Sequence, residues 1–504
     1  MGLNRRRGRG VPGRRAATLT SSLQKERKLP LVAGVDASTQ STKVVVVDAH
    51  TGMVAAEGRA PHVVTGAGGA RETDPEGWWQ ALRDALAQTG RAADIAAISV
   101  AGQQHGLVVL DGSGRPLRPA KLWNDIESAG DARQLTAALG GPDWWAERIG
   151  LVPVASFTAT KWAWLRRVEP QIAAATRAIR LPHDFLTERL TGSGVTDRSD
   201  ASGTAWWSTA TEDYADEVLS HASQQLDRAL LPRVLGPHHP AGEVTTAAAA
   251  YLGLRAGIPV GPGSGDNAGA AVGLGLEPGT PAISLGTSGT AFMSSAGRVV
   301  DPSGDVAGFA DATGRFLPLA CTLNCTLAVD RFAAWLGLER DAAARRTGVV
   351  VLPYLDGERT PNLPNAAASI LGLRHATEPG EILLAAYQGA VLSLLEALEV
   401  IDARSSGIDP AAPIVLIGGG ARGATWRRVV RELSGRPVQV PEATELVALG
   451  GAAQAAAVLG GEAPEVVARK WDTRRGILLD PVERDTAALG LIKETRARLA
   501  GLNA

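Results

Sequence analysis

"GVDASTQSTKVVVVD", residues 34–48, places two β-branched apolar runs on either side of a short polar bend. The runs read as strands over 31–36 and 42–48, since apolar segments without polar alternation suit strands covered on both faces. An ordinary hairpin turns on Asn-Gly or a similar pair. This bend instead crowds together Asp36, Ser38, Thr39, Ser41, Thr42 and Lys43. Backbone N–H groups and hydroxyls in a tight turn make a seat for an anion, and a carboxylate at its edge can hold a divalent cation directly or through water. Asp36, Ser38, Thr39 and Lys43 therefore fit a phosphate-and-Mg2+ seat, with Asp36 on the metal side. Ser and Thr also cap ordinary turns, so the bend alone leaves both readings open.

Outward from this hairpin come a turn at "AHTG", a strand near 53–60 and then "DPEGWWQALRDALAQTG", residues 74–90. Trp78, Trp79, Leu82 and Leu86 recur there at helical spacing, with Asp74 as N-cap, Pro75 at the first helical position and Gly90 as the stop. The strand "IAAISVAG" follows. Strands before helices, then alternation, indicate an α/β domain on a mixed sheet.

The opening device returns at "TPAISLGTSGTAFMSS", residues 280–295, where Gly286, Thr287, Ser288 and Gly289 form the bend. Two copies about 250 residues apart suggest two domains of one ancestral fold. Facing hairpins of this kind can grip a polyphosphate from both sides. The small-residue stretch between them, "GPGSGDNAGAAVGLGLEPG" (261–279), reads as the hinge.

Within that stretch Asp266 opens a small-residue helix. It serves either as an N-cap or as a carboxylate that accepts the proton of an attacking hydroxyl, with Asn267 binding the same polyol. A helix N-terminus stabilises the ionised form and weakens such a base. Phosphoryl transfer tolerates this, because its loose transition state needs orientation and charge neutralisation more than strong deprotonation.

Two further clusters suit a polyol. "SVAGQQHG" (99–106) presents Gln103, Gln104 and His105 at the C-terminal end of a strand, where open α/β sheets bind ligands. "LWNDIES" (122–128) offers Trp123 as a flat wall, with Asn124 and Asp125 as hydrogen-bonding groups. "GGGARG" (418–423) follows the strand "PIVLIG" and precedes a helix, with Glu442 downstream. That arrangement satisfies a dinucleotide fingerprint and leaves a nicotinamide- or flavin-dependent oxidoreductase open. Close approach to the nucleotide part of ATP needs the same glycines.

Over 504 residues, 51 Lys and Arg stand against 52 Asp and Glu, so no global field draws the chain to nucleic acid or acidic lipid, and small molecules are the expected partners. Cys321 and Cys325 are too few for a disulfide framework or a zinc site and read as reduced core thiols. No stretch of ~20 apolar residues stands out, and the first thirty residues lack the apolar centre of a secretory signal. A cytoplasmic protein is expected, with residues 1–29 forming a disordered basic tail.

Taken together, these residues resemble the FGGY carbohydrate kinases, which share a superfamily with actin. "SFTATKWAWLRR" (156–167) matches one family signature except at its final position, Val168, and "ASILGLRHATEPGEILLAAYQ" (368–388) matches the other throughout. "GQQHG", "WND", "LPHDFLTERLTG", "SDASGTAW", "GDNAGAAVG", "SLGTSG", "YLDGERTP" and "LIGGGAR" are family text as well, most like the branch that acts on D-xylulose. Ala37 and Gln104 depart from the Gly and Met of many members.

The resemblance implies two RNase H-like domains flanking a central cleft. Residues 30–276 would carry the sugar and the phosphate/Mg2+ side, and residues 277–504 the nucleotide side. It implies ATP and Mg2+ as cofactors, phosphorylation of D-xylulose to its 5-phosphate, and a homodimer. Asp266 would be the general base, and Asp36 would act near Mg2+ and the γ-phosphate. Gln104 and His105 would bind sugar, while Gly286, Thr287, Gly418, Gly419, Gly420 and Ala421 would contact ATP. L-ribulose, glycerol and gluconate remain alternative acceptors, and a sugar sensor without turnover is the alternative of another class.

Overall fold

The computed structural model describes residues 30–503 other than 364 and 406; the tail read over 1–29 lies outside the described residues. The chain forms two α/β domains, each on a seven-stranded mixed sheet.

In the first, β1 (Leu31–Ala37), β2 (Ser41–Asp48) and β3 (Val54–Pro61) run as an antiparallel meander. The helix α1 (Pro75–Thr89) then leads to β4 (Ile95–Gly102), which pairs parallel with β1. Helices α2 (Thr158–Val168) and α3 (Pro182–Thr191) precede the short strands β5 (Gly242–Glu243), β6 (Pro259–Val260) and β7 (Ser264–Gly265). The sheet order is β5-β6-β4-β1-β2-β3, with β7 also on β4.

Helix α4 (Asp266–Gly273) leads into the second sheet. There β8 (Pro281–Leu285) and β9 (Gly289–Met293) form the second hairpin, followed by β10 (Ala307–Ala310) and β11 (Phe316–Thr322). Beyond α5 (Thr326–Leu336) and α6 (Pro379–Arg404), β12 (Ile414–Ile417) pairs parallel with β8. Helix α7 (Ala424–Ser434), β13 (Val438–Pro441), α8 (Leu446–Gly460) and β14 (Gly476–Leu479) complete the fold. The order is β10-β11-β9-β8-β12-β13-β14. The cores of the two sheets, β3-β2-β1-β4-β6 and β11-β9-β8-β12-β13, share one pattern of two antiparallel pairings followed by two parallel ones. That common pattern is the repeat the two bends announced.

Burial explains the unbroken valine runs. Val32, Val45 and Val47 join a core cluster on one face of the first sheet, while Ala33, Val35, Val44 and Val46 join another on the opposite face with Trp78, Leu82 and Leu86 of α1. Each such side chain fully withdrawn from water contributes roughly 1.5–3 kcal/mol. Helix α1 begins and ends where its sequence says: the Asp74 side chain accepts the Glu76 N–H, and Gly90 takes φ +62°. The long apolar helix α6 is buried along most of its length in the second domain.

The stretch read as a hinge is instead tightly packed. Strand β7 pairs with β4, and α4 lies against α8 with backbones in contact. A Cβ on Gly273 would stand 2.0 Å from the Leu446 carbonyl oxygen, and one on Gly34 of β1 would stand 1.8 Å from that of Ala448. Small residues are there to let α8 reach both α4 and β1. Gln454 of α8 completes the join: it accepts from Ser99 Oγ at 3.0 Å and donates to the Gly263 carbonyl at 2.8 Å.

Candidate active site

Both hairpins deliver their bends to the space between the sheets. In the first, Asp36 and Lys43 are cross-strand partners. Ser38 Oγ donates to Asp36 Oδ1 at 2.6 Å, and Lys43 Nζ stands 3.5 Å from Asp36 Oδ2. Burial pushes the Asp36 carboxyl up despite the pull of Lys43. In the second, the N-terminus of α5 takes up the bend's carbonyls: Thr326 donates its N–H (3.1 Å) and hydroxyl (2.7 Å) to Gly286 O, and the Leu327 N–H donates to Thr287 O at 3.4 Å.

A cavity of about 240 Å3 lies between these bends. Thr39, Gln104, His105, Trp123, Asp266 and Asn267 line it from the first domain, and Gly286 and Thr287 from the second. Trp123 Nε1 donates to Thr39 Oγ1 at 3.0 Å, which fixes the indole against the first bend. Asn267 Nδ2 donates to Asp266 Oδ1 at 2.9 Å and to Gln104 Oε1 at 3.3 Å, while its own Oδ1 accepts from Thr290 Oγ1 of β9 at 3.4 Å.

Asp266 is the first residue of α4, and the cap position is Gly265. The helix N-terminus does not decide its titration. Burial, then the charge of Asp36, push the Asp266 carboxyl up to about 7, against the hydrogen bonds of Asn267. The lowered carboxyl expected from the helix dipole is therefore replaced by one that burial and Asp36 hold up.

His105 sits in the left-handed region at φ +67°. Its carbonyl accepts from Thr158 Oγ1 at 3.2 Å and Lys161 Nζ at 3.3 Å, both on α2. Its ring packs edge-on to Phe157, with centroids 5.0 Å apart. Burial, then Lys161 and Arg359, hold the imidazole well below its usual range, so it is neutral. Behind it, the Asp200 carboxylate pairs with His183 Nδ1 at 2.7 Å. Burial works against charge on His183, but Asp184, Asp200 and Asp197 hold it up to about 9.

A second cavity, about 390 Å3, is lined by Lys43, Gly418, Gly419, Ala421 and Glu445. Lys43 Nζ donates to Glu445 Oε2 at 2.8 Å, joining the first hairpin to the start of α8. Gly418 takes φ +83°, and a Cβ there would meet the Leu285 carbonyl oxygen at 2.8 Å, so that glycine lets the loop cross the end of β8. At Gly419 a Cβ would enter open space. Its missing side chain thus keeps a cradle clear at the position expected for nucleotide.

Several expected residues lie elsewhere. Ser38 holds Asp36 instead of lining either cavity, and Gly420 is buried against Leu285. Asn124 lines neither cavity, and Gln103 is buried behind the strand end. Asp125 is fully buried, bound to Lys121 Nζ and the Arg71 N–H, both at 2.9 Å. Lys121 also lies 2.5 Å from Glu127 and 3.5 Å from Glu72, so these three clustered carboxylates already share an ammonium. Glu442 is exposed and outside the second cavity, which leaves the oxidoreductase reading without its ribose-binding acid. The cysteines are free and buried as expected, but Cys321 also borders the first cavity.

The sequence reading also passed over Arg359, which borders the first cavity, and over Glu445, Lys161 and the His183–Asp200 pair. Lys161, His183, Asp200 and Arg359 stand inside the recognised family text, which was the available signal. Glu445 carried none.

The family model "FGGY family of carbohydrate kinases, N-terminal domain" matches residues 31–273, and the corresponding C-terminal domain model matches residues 282–459. A xylulose kinase from Streptomyces rubiginosus is 59% identical over 474 residues, covering 94% of this chain and 96% of the relative. The crystal structure of xylulose kinase from Bifidobacterium adolescentis is similar with a TM-score of 0.80 at 37% identity, covering 93% of this chain and 99% of that one. A gluconate kinase structure from Lactobacillus acidophilus shares the fold with a TM-score of 0.87 at 20% identity, covering 94% and 99%.

Proposed function

The chain belongs to the FGGY family of carbohydrate kinases, and from that premise we propose that it phosphorylates D-xylulose on its terminal hydroxyl with ATP, giving ADP and D-xylulose 5-phosphate. What supports this acceptor is the near full-length identity to the Streptomyces xylulose kinase. What supports the chemistry is Asp266, a half-buried carboxylate in a cavity bounded by both hairpin bends.

In this reading Gln104, Asn267 and neutral His105 hydrogen-bond the sugar, Trp123 forms a wall, and Asp266 accepts the proton of the terminal hydroxyl. The freed oxygen attacks the γ-phosphorus in line, and the bond to the β,γ-bridging oxygen breaks to release ADP. Gly286 and Thr287 receive the phosphates from one side, with Thr39 and Lys43 opposite, and Gly418, Gly419 and Ala421 border the nucleotide.

A divalent cation suits the donor set. Asp36 is buried at the first bend and borders neither cavity, yet its charge and that of Asp266 work against each other, and Mg2+ binds through one or two carboxylates plus water and phosphate oxygens. Asp36 would hold it, directly or through water. Bound there, Mg2+ would neutralise charge on the phosphates. We read the enzyme as cytoplasmic, acting on small molecules, and as the homodimer its family resemblance implies.

The direct test is a coupled ADP-release assay with D-xylulose, L-ribulose, glycerol and gluconate. D-xylulose is expected to give the highest kcat/KM, and a preference for any of the others would contradict the acceptor assignment. Because Asp266 works as a base only when ionised, kcat/KM for the acceptor should fall about tenfold per pH unit below about 7 and level off above it. A profile flat down to about pH 5.5 would contradict that role. Gly419→Val should raise KM for ATP about tenfold or more by filling the cradle, while the affinity for sugar, read from quenching of Trp123, stays unchanged. An unaltered KM for ATP would remove the nucleotide from that cavity.

A further inference from the structure

Arg359 crosses from the second domain to the acceptor cavity. Its segment is tied down by Glu358, whose carboxylate accepts the N–H groups of Leu323 (2.6 Å) and Arg359 (2.8 Å) and the Asn324 Nδ2 (3.1 Å). From that anchor the guanidinium reaches residues just before α2. It lies 5.8 Å from the centroid of Phe157, and one nitrogen donates to Ser156 Oγ at 3.4 Å. No ion pair to Arg359 is formed among the described residues. Most of its five N–H donors are therefore free to serve a ligand.

Two cavities meet at this side chain. One is the acceptor cavity, where Arg359 is the one cationic group among lining residues that include Asp266. The other, about 410 Å3, lies between Arg133, Pro142, Val152 and Ser303, and Arg359 lines it too. Arg359 thus borders both the small acceptor cavity and the larger space.

Resting on the kinase reading above, we propose that Arg359 sets acceptor length: it donates to the oxygens at the end of the acceptor remote from Asp266, and its bulk closes the way into the larger cavity. A five-carbon ketose then fills the space between base and guanidinium. A seven-carbon ketose is turned away by the same wall. Because the wall comes from the second domain, it is complete only when the two domains stand together, which links acceptor choice to closure over ATP.

The test compares steady-state kinetics of wild type, Arg359→Ala and Arg359→Met with D-xylulose and with sedoheptulose, alongside KM for ATP and thermal unfolding. Wild-type turnover of D-xylulose tests the kinase reading by itself; if another acceptor wins the panel, the comparison is run with that acceptor and its two-carbon homologue. Arg359→Ala should raise KM for the pentulose about tenfold or more, leave KM for ATP unchanged, and shift the ratio of kcat/KM toward the heptulose by about tenfold or more. Arg359→Met keeps the bulk without the donors, so it should lose pentulose affinity while still excluding the heptulose. If Arg359→Ala does not fold, Arg359→Met and Arg359→Lys carry the test through their pentulose KM. Unchanged pentulose KM in the variants, or an unchanged length ratio in a folded Arg359→Ala, would overturn the inference, as would a wild type with no acceptor at all.

Discussion

Asp266→Ala should lower kcat by roughly 10²–10⁴-fold while D-xylulose still quenches Trp123. In the proposed mechanism Asp266 takes the hydroxyl proton, whereas the sugar's other contacts would come from Gln104, His105 and Asn267, which line the same cavity. The stability readout should move the other way. Burial and Asp36 make the ionised Asp266 unfavourable in the folded state, and its removal relieves that repulsion. Melting temperature should stay level or rise, as happens when a residue kept for function is taken away. A variant that turns over at the wild-type rate would remove Asp266 from the chemistry. A variant that loses activity only because it unfolds would make the residue structural.

The second large effect is expected far from any ligand. Gly450→Val should destabilise the protein by more than about 3 kcal/mol or leave it insoluble, since overpacking alone costs about 1–3 kcal/mol where neighbours can yield. Here they cannot: a Cβ on Gly450 would stand 1.9 Å from the Gly269 carbonyl oxygen and 3.0 Å from the Gly273 nitrogen, both backbone atoms of α4. Any shift of α4 moves Asp266 at its first turn, so activity should fall even in the fraction that folds. Gly460→Ala, on the same helix with open space around it, should be neutral or stabilise by up to about 1 kcal/mol. Chemical denaturation of the three proteins decides this. Equal stability for Gly450→Val and Gly460→Ala would refute the backbone-to-backbone contact.

The hairpins, α1 with its caps and the repeated sheet were legible because they depend on neighbours in the chain. Period, cap and turn signals all act over a few residues. Asp266, Gln104, His105 and Trp123 were legible through strand ends and helix starts that the same signals locate. What escaped depends on partners distant in sequence. Asp125 follows Asn124 directly, yet it turns inward to Lys121, whose ammonium it shares with Glu72 from some fifty residues earlier in the chain. The small residues at 261–279 suggest freedom until α8, nearly 200 residues on, presses against them. Lys43 meets Glu445 across 402 positions, and Arg359 meets Ser156 across 203. The titration of Asp266 escapes the sequence for a related reason: the helix start is visible locally, but burial and the charge of Asp36 are not.

The deciding measurement is a crystal structure of the complex with D-xylulose, Mg2+ and a non-hydrolysable ATP analogue. The sugar's terminal oxygen should lie within about 2.6–3.2 Å of the Asp266 carboxylate and in line with the γ-phosphorus, itself between the bend at Asp36–Lys43 and the bend at Gly286–Gly289. A sugar bound with that hydroxyl turned away from Asp266, or a γ-phosphate held outside the space between the two bends, would contradict the mechanism.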